Sequence, residues 1–586
     1  MKKMYQIIKD ATNEKLTEKS HIKISNQNGD DFQDDLEMAD FCNQYFTSVG
    51  IEMEKQIPQP NKPHNLQSAN KQSMFLTPVS QNEIIKHIHD LKDKSSPGID
   101  GISAKLIKDT HIEILEPLLH ILNRIYETGQ VPSSFKLTVV TPIHKSGPKN
   151  VISNYRPISL ITCFAKIFEK SLKDRLLNFL VTNNILSESQ YGFLPERSTA
   201  DALYRFTSDV TNHLNNGRKC LGVFIDLAKA FDTVPHNRLF EVLEHYGVRG
   251  NAMKLMRSYL QNRRQIVKIN NVLSKEQIIK IGVPQGTVLG PVLFITYLNS
   301  LLEIKIDNGT IISYADDTAL LFNGPDWNQT KKYAIEGLNK IKNWLETYKL
   351  SLNVTKTNYI AFSLTGANRP EFSYFSIDNI NQIKETSETK YLGVYIDKNL
   401  KWHVHTEYLA NRLKKLIYKF YIIRTFLNIK ELIIIYKSLA ESIIRYGILV
   451  WGGLYNNALQ KLNIVHKYIL KTIYKKPKLF PTEELFTEQT TNIRTLYIST
   501  ICSYIQFHDN IKININHIYN TRSRIRGNLS IPNNLKGINL KFFVYLAPKT
   551  YNLLPSAIKQ TKNKKKFNKD CNKYVHDNYH VFYRLF

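Results

Sequence analysis

Two aspartates stand side by side at Asp316 and Asp317, inside YADD (314–317), with strand-like runs on either side. On a regular strand, neighbouring side chains leave by opposite faces, so two acids that work together need the tight turn of a hairpin. Asp is itself a common turn residue, and a solvent-exposed hairpin tip has the same composition. A third acid weighs against a mere tip. Asp226 closes the apolar run LGVFI (221–225), which holds no basic residue. Burying an isolated carboxylate costs several kcal/mol unless a cation or hydrogen bonds compensate. If Asp226 lies beside Asp316, their charges repel, and a bound divalent cation is the simplest remedy. Oxygen ligands without His or Cys select Mg²⁺ or Mn²⁺ rather than zinc. Two such ions about 3.5–4 Å apart activate an attacking hydroxyl and stabilise the leaving oxygen of a phosphoryl transfer.

The elements that must position these acids are legible around them. CLGVFID (220–226) and TIISYADDTALLF (310–322) are dominated by β-branched and aromatic residues and predict strands buried on both faces, with the acids at a strand end or in a turn. From Ser80 to about Ile185, helical apolar spacing alternates with loops rich in Gly, Pro and Ser, notably SSPGIDGIS (95–103) and HKSGPKNVISNYRPIS (144–159). After residue 400 the pattern becomes helical. Leu413, Leu416, Ile417 and Phe420 follow i, i+3, i+4, i+7, while Arg412, Lys414, Lys415 and Lys419 take the other face. The first 75 residues carry an acidic patch from Asp30 to Asp40 and a polar linker-like stretch at 57–73; the single low-complexity piece is KNKKKFNK (562–569).

Composition bounds the partners. The chain has 586 residues, enough for three or four structural units, with 42% hydrophobic and 22% charged residues, which excludes general disorder and fibrous classes. Its net charge is +28, and residues 401–586 supply +22 of it, while residues 1–75 carry −2. A cationic region joined to a more neutral body suits a polyanion, with nucleic acid first. Five dispersed cysteines without a C-x-x-C pair support neither a disulfide scaffold nor a zinc module. The amino-terminal residues lack the apolar core of a signal peptide, and the stretch 282–298 is too short and too interrupted to span a bilayer. Neither secretion nor membrane insertion is expected.

Five motifs in order carry a family resemblance: FIDLAKAFDTV (224–234), GVPQGTVLGPVLF (282–294), YADD, LSLNVTKTNYIAF (350–362) and KYLGVYID (390–397). Together they resemble the palm of reverse transcriptases of non-LTR retrotransposons, the LINE-type, jockey-like group. SSPGIDGIS, TPIHKSGPKNVISNYRPISL (141–160) and QYGFLPERST (190–199) look like the fingers of the same family, so the likeness runs from about Ser80 to Asp397 and continues more weakly to residue 560.

The resemblance implies a right-hand polymerase of α/β (α+β) class: an amino-terminal helical and linker segment (1–79), fingers and an antiparallel palm sheet (80–400), a helical thumb (401–475) and a mostly helical basic carboxy-terminal region (476–586). It implies that Asp226, Asp316 and Asp317 hold two Mg²⁺ (or Mn²⁺) ions, and that Lys145 and Arg156 grip the triphosphate of a dNTP. Arg suits bidentate phosphate contacts and Lys acts as a point charge. Phe231 matches the aromatic beneath the sugar, where a ring clashes with a 2′-hydroxyl. Gln285 matches a residue packed near the incoming nucleotide and template, and Lys356 a donor of a proton to departing pyrophosphate. Arg412, Lys414, Lys415 and Lys419 fall on the thumb helix that tracks the backbone of an RNA–DNA duplex.

The implied activity is RNA-directed DNA polymerisation by target-primed reverse transcription, with an RNA template, dNTPs and a DNA primer or target, in a ribonucleoprotein that assembles in the cytoplasm and acts in the nucleus. The segment before Ser80 is too short for the endonuclease such elements carry, and no cysteine cluster or RNase H signature appears, so polymerisation without DNA nicking is the expectation. A catalytically inactive, retrotransposon-derived nucleic-acid-binding protein is the alternative, and a group II intron maturase a more remote one. The lysine run 562–569 reads either as an import signal or as a flexible tail.

Overall fold

The computed structural model describes residues 21–26, 28–58, 70–364, 370, 372–377, 381–508, 528–531 and 541–586. Most of the linker-like stretch at 57–73 and of TRSRIRGNLSIP (521–532), which resembles the carboxy-terminal part of jockey-like proteins, therefore lies outside the described residues.

Helices and strands alternate up to residue 397, and helices follow. In chain order the main helices are α1 (Asp35–Gln56), α2 (Gln81–His89), α3 (His111–Thr128), α4 (Cys163–Thr182), α5 (Thr199–Asn215), α6 (His236–His245), α7 (Gly250–Leu260), α8 (Gly290–Leu298), α9 (Trp327–Thr347), α10 (His403–Ile423), α11 (Ile429–Tyr436), α12 (Asn456–Ile473), α13 (Ile493–Phe507), α14 (Phe543–Asn552) and α15 (Lys564–Asp577). Their starts are written in short polar side chains. Asp34, Ser80, Thr162, Asp326 and Asn428 each accept a hydrogen bond from a backbone N–H of the first turn, which supplies a partner the helix itself cannot.

The strands are β1 (Leu137–His144), β2 (Tyr155–Leu160), β3 (Lys219–Ile225), β4 (Arg263–Ile269), β5 (Val272–Leu273), β6 (Gln277–Ile279), β7 (Gly309–Tyr314), β8 (Asp317–Gly324), β9 (Asn358–Phe362), β10 (Tyr374–Ile377), β11 (Asn381–Glu385), β12 (Glu388–Tyr391) and β13 (Val394–Asp397). They build a five-stranded sheet in the order β2-β1-β4-β5 with β6 also on β4, a six-stranded sheet β10-β11-β9-β3-β8-β7, and the hairpin β12-β13.

The six-stranded sheet positions the acids. Its central strand β3 runs antiparallel to both β8 and β9, and β7 and β8 form a hairpin. The expected all-antiparallel palm sheet needs one correction. β11 joins β9 in parallel, because the chain passes through β10 before it returns and so re-enters the sheet in the direction of β9.

Side-chain alternation on this sheet divides the core in two. Leu221, Val223, Ile225, Leu320, Phe322, Tyr359 and Ala361 face one apolar cluster, which includes residues of α2 to α4 and α6 to α9. Cys220, Phe224, Ala319, Leu321, Ile360 and Phe362 face a second, built with α5 and the helices after residue 402. Burial on both faces is why β3 and β8 read as continuous apolar runs rather than alternating ones. The second face is tight. A Cβ on Gly222 would lie 2.7 Å from a ring carbon of Phe362 and 3.0 Å from one of Phe206.

Helix α1 is part of this assembly. Met38, Ala39 and Cys42 pack on Val140, Ile152, Tyr155, Val267 and Ile269 of the five-stranded sheet side, and Asn43 donates to Gln265 O, Ser274 Oγ and Lys275 O. On α10, Leu413 and Phe420 are buried while Arg412, Lys414 and Lys415 are exposed, and the helix packs along α12. The lysine run 562–569 is not a flexible tail. It enters α15, whose Phe567, Cys571 and Val575 form a buried i, i+4, i+8 seam, while Lys564, Lys565, Lys566 and Lys569 stay exposed.

Candidate active site

The two acidic motifs meet where β3 ends beside the β7–β8 hairpin. Ile225 is paired with Thr318, so Asp226, one residue past β3, lies level with Asp317 at the start of β8. Tyr314 pairs with Asp317, which leaves Ala315 and Asp316 as the two residues of the turn. The tight hairpin that paired aspartates require is thus present. Asp226 is held from the other side by β9's approach: its N–H donates to Thr357 Oγ1 at 3.4 Å, its carbonyl accepts from Asn353 N at 2.8 Å, and its Oδ2 lies 3.7 Å from Lys356 Nζ.

The acids share one electrostatic field. Crowding by protein atoms, then the charges of Asp316 and Asp226, push the Asp317 carboxyl up to about 6. Crowding is also the first cause that raises Asp316, with Asp226 adding to it, while Arg156 and Lys145 oppose the shift in both cases. Those two cations come from the five-stranded sheet. Arg156 lies on β2 opposite Ile143, and Lys145 follows β1 with its N–H on Asn154 O at 2.8 Å, so the β1–β2 hairpin brings both toward the acids.

Two residues of this cluster are not evident from sequence spacing. Lys229, in the turn after Asp226, has a left-handed backbone with φ +49°. Its Nζ donates to Ser153 O at 3.1 Å and lies 5.8 Å from the centre of the Tyr45 ring on α1. Burial, and then Lys145, Lys356 and Arg156 after the opposing effect of Asp232, hold its ammonium below the usual lysine range. Asp232 is the second. Burial pushes its carboxyl up to about 6 against the pull of Lys229 and of Gln285, whose Nε2 donates to Asp232 Oδ1 at 2.8 Å. The signal in the sequence was only a lysine and an aspartate inside the otherwise apolar LAKAFDTV.

Gln285 sits on a built bend. Its carbonyl accepts from Ser159 N of β2 at 2.7 Å, and the next residue, Gly286, has φ +95°. Behind the bend, the fully buried Glu169 of α4 accepts from Val288 N at 2.7 Å, Leu289 N at 3.1 Å and the Tyr259 hydroxyl at 2.7 Å. Phe231 stacks on Phe294 of α8 with centroids 4.3 Å apart and meets Phe193 edge-on at 6.5 Å, yet stays partly open. The cations of α10 are not in this cluster; they line a separate helix.

Among the described residues, no three His, Cys, Asp or Glu side chains close into a cage for one ion. Mg²⁺ does not need one, since it is usually held by one or two carboxylates plus water and substrate phosphates. Mutually repelling carboxylates of raised affinity for protons, offered by oxygen alone, fit such a cation.

Residues 143–396 match the family described as reverse transcriptase (RNA-dependent DNA polymerase). The chain is 27% identical over 463 residues to the probable RNA-directed DNA polymerase from transposon BS of Drosophila melanogaster, covering 76% of this chain and 49% of that protein. It is 24% identical over 477 residues to the probable RNA-directed DNA polymerase from transposon X-element of the same organism, covering 79% of this chain and 51% of that one. It is 26% identical over 430 residues to the RNA-directed DNA polymerase from mobile element jockey, covering 72% and 46%. The chain spans about half the length of these relatives.

Proposed function

We propose that the reverse transcriptase domain at residues 143–396 makes this chain an RNA-directed DNA polymerase of non-LTR retrotransposon type, which copies an RNA template from a DNA primer by target-primed synthesis. The observation that carries the reading is the convergence of Asp226, Asp316 and Asp317 at the end of a two-sided buried sheet, facing Lys145 and Arg156 from a second sheet.

Asp226 and Asp316 would hold two Mg²⁺ or Mn²⁺ ions, with Asp317 as the third carboxylate. When bound, such ions lower the barrier by activating the primer 3′-hydroxyl and neutralising charge on the leaving oxygen. The chain's own groups do the rest. The 3′-hydroxyl attacks the α-phosphorus of a dNTP and gives up its proton to solvent, a new phosphodiester bond forms, and the bond to pyrophosphate breaks. Lys145 and Arg156 grip the triphosphate, joined by Lys229, whose ammonium is held below the usual lysine range first by burial and then by the neighbouring cations. Lys356 balances Asp226 and donates a proton to departing pyrophosphate. Phe231, braced by Phe294, closes the space beside the sugar C2′, and Gln285, held by Asp232, faces the nascent base pair.

Arg412, Lys414, Lys415 and Lys419 on α10 act as a thumb surface for the RNA–DNA duplex, gripped by charge and shape. A ribonucleoprotein made in the cytoplasm and active at nuclear DNA follows from that template and target. Among the described residues, no helix is long and apolar enough to cross a membrane.

The test is primer extension on an RNA template with dNTPs and Mg²⁺. The parent chain should extend, and Asp226→Ala and Asp316→Ala should each lose at least about a thousandfold in rate with RNA binding intact. A folded parent that binds RNA yet extends nothing would favour the inactive nucleic-acid-binding alternative.

A further inference from the structure

We infer that Gln190 sets the shape of the catalytic turn and so positions Asp316 and Asp317 for their ions; this rests on the reading of the three aspartates as metal-binding acids. The segment 189–192 runs alongside β7 as it approaches the turn. Ser313 N donates to Ser189 O at 2.9 Å, Tyr191 N donates to Ser313 O at 2.8 Å, and Gln190 and Ser313 form a parallel bridge. Gln190 is 1% exposed. Its Oε1 accepts from Ala315 N at 2.9 Å and from Gly192 N at 2.8 Å, and its Nε2 reaches Ser313 Oγ at 3.4 Å.

Ser313 completes the grip. Its Oγ donates to Ala315 O at 2.8 Å and accepts from Thr318 Oγ1 at 3.2 Å. Both backbone polar groups of Ala315 are therefore taken by buried side chains. Ala315 needs that support, because it adopts φ +58°, a left-handed conformation that an L-residue with a Cβ disfavours and that persists only where its surroundings over-determine it. Two-residue hairpin turns with positive φ at the first central residue alone usually place glycine there. Here Ala-Asp stands in the turn, and the side chain of Gln190 supplies the constraint that glycine's freedom would otherwise make unnecessary.

The backbone direction at residue 315 decides where Asp316 points, so a loosened Ala315 loosens the placement of the acid. Gly192 shows how close the clamp lies: a Cβ there would sit 2.5 Å from Ala315 N and 3.0 Å from Tyr314 C. The far end of the loop is anchored by Arg197, whose Nη1 donates to Gln190 O at 2.5 Å, Glu188 O at 2.9 Å and Ser187 O at 3.3 Å. Gln190 touches no reacting atom in this scheme. It is a positioning residue.

The experiment compares the full chain with Gln190→Met, which keeps the volume but removes the acceptor. Hydrogen exchange followed by mass spectrometry across residues 311–320 should speed up about tenfold or more at the Ala315 amide, as expected when a local closing interaction is lost. In primer extension, the Mg²⁺ concentration for half-maximal rate should rise about fivefold or more, while the KM for dNTP stays within about twofold and part of the rate returns at saturating Mg²⁺. A side chain that merely fills the core would not separate those two constants. Should Gln190→Met fail to fold, Ser313→Ala removes the hydroxyl between Gln190 and Ala315 O without opening a large void, and the same shifts are expected. Unchanged exchange at Ala315 in a folded variant overturns the clamp, whether or not the chain polymerises. Faster exchange with an unchanged Mg²⁺ requirement in an active chain overturns its service to the acids. A parent that extends no primer counts against the polymerase reading alone, since exchange still decides the clamp.

Discussion

Gln285 Nε2 donates to Asp232 Oδ1 at 2.8 Å, and because an ionised carboxylate has no proton to give, the amide nitrogen must face Asp232 and the amide oxygen must face away from it. Asp232 therefore fixes which end of Gln285 is offered to a neighbour. In Asp232→Ala the amide turns freely, and KM for dNTP should rise about tenfold, the scale of one lost hydrogen bond to a charged group. Asp232→Asn keeps an acceptor and should stay near the parent. Steady-state kinetics on Asp232→Ala, Gln285→Ala and the double variant check the coupling. If the two penalties simply add, the residues do not act as a unit.

Asp316 and Asp317 trade stability for function. Burial and then the charges of Asp316 and Asp226 push the Asp317 carboxyl up to about 6. A carboxyl raised above its unfolded value destabilises the fold once pH exceeds that value, so Asp316 and Asp317 are a burden at neutral pH. Asp316→Ala should melt no lower than the parent and gain up to about 1 kcal/mol after solvent screening, while losing extension. Mg²⁺ should raise the parent's melting temperature and leave Asp226→Ala unmoved. Scanning calorimetry with and without Mg²⁺ reads both. A variant destabilised by loss of its acid would mean that the carboxylates are structural partners instead.

Much of this site was legible because its strands are buried on both faces. Cys220 and Phe224 serve one core, Leu221, Val223 and Ile225 the other, so CLGVFI left no polar gap to misread and put Asp226 at its end. Lys229 and Asp232 were not legible. Their partners Ser153 and Gln285 lie 76 and 53 residues away, and no local period reports a contact made only by folding. Gln190 was hidden for the same reason, 125 residues from Ala315. In KNKKKFNK, composition masked periodicity: Phe567 begins the seam that Cys571 and Val575 continue, and three apolar positions sufficed to fold a lysine-rich run into α15.

Phe231 stacks on Phe294 with centroids 4.3 Å apart and an interplanar angle of 21°, which braces the ring for the proposed contact with the sugar. Phe231→Val should raise ribonucleotide incorporation relative to deoxynucleotide by about tenfold or more, the discrimination expected from a steric contact of one to two kcal/mol. Single-nucleotide extension with rNTP and dNTP gives the ratio. An unchanged ratio would return Phe231 to the core.

The exposed cations of α10 predict a salt signature. Each lysine or arginine that neutralises a phosphate contributes about 0.7–0.9 to the slope of log K against log salt. Changing Arg412, Lys414 and Lys415 together to Gln should lower that slope by about 2 to 3 and weaken RNA–DNA duplex binding uniformly across sequences. Fluorescence anisotropy at several salt concentrations measures it. A slope equal to the parent's would place the duplex elsewhere.

Two histidines make the helical region after residue 402 sensitive to acid. His405, 1% exposed against Trp451 and Tyr408, is driven down to about 3 by burial and then Lys390, and its Nδ1 accepts from Tyr395 N at 3.3 Å. His466, fully buried and stacked on Tyr436, is driven down to about 4 by burial and then Lys467. Both must stay neutral in the folded chain, whereas the unfolded chain takes up their protons near 6.5. The stability they permit is complete above that pH and falls below it by about 1.4 kcal/mol per pH unit for each histidine, until the folded values are reached. From pH 6.5 to 5 the two together remove about 3 kcal/mol, a loss that falls on α10 to α13, where both side chains are buried. Hydrogen exchange at pH 7.5 and at 5, normalised for intrinsic rate, should show selective loss of protection in 403–507, and His466→Phe should reduce that loss. Uniform weakening of both cores would mean that another group governs the acid response.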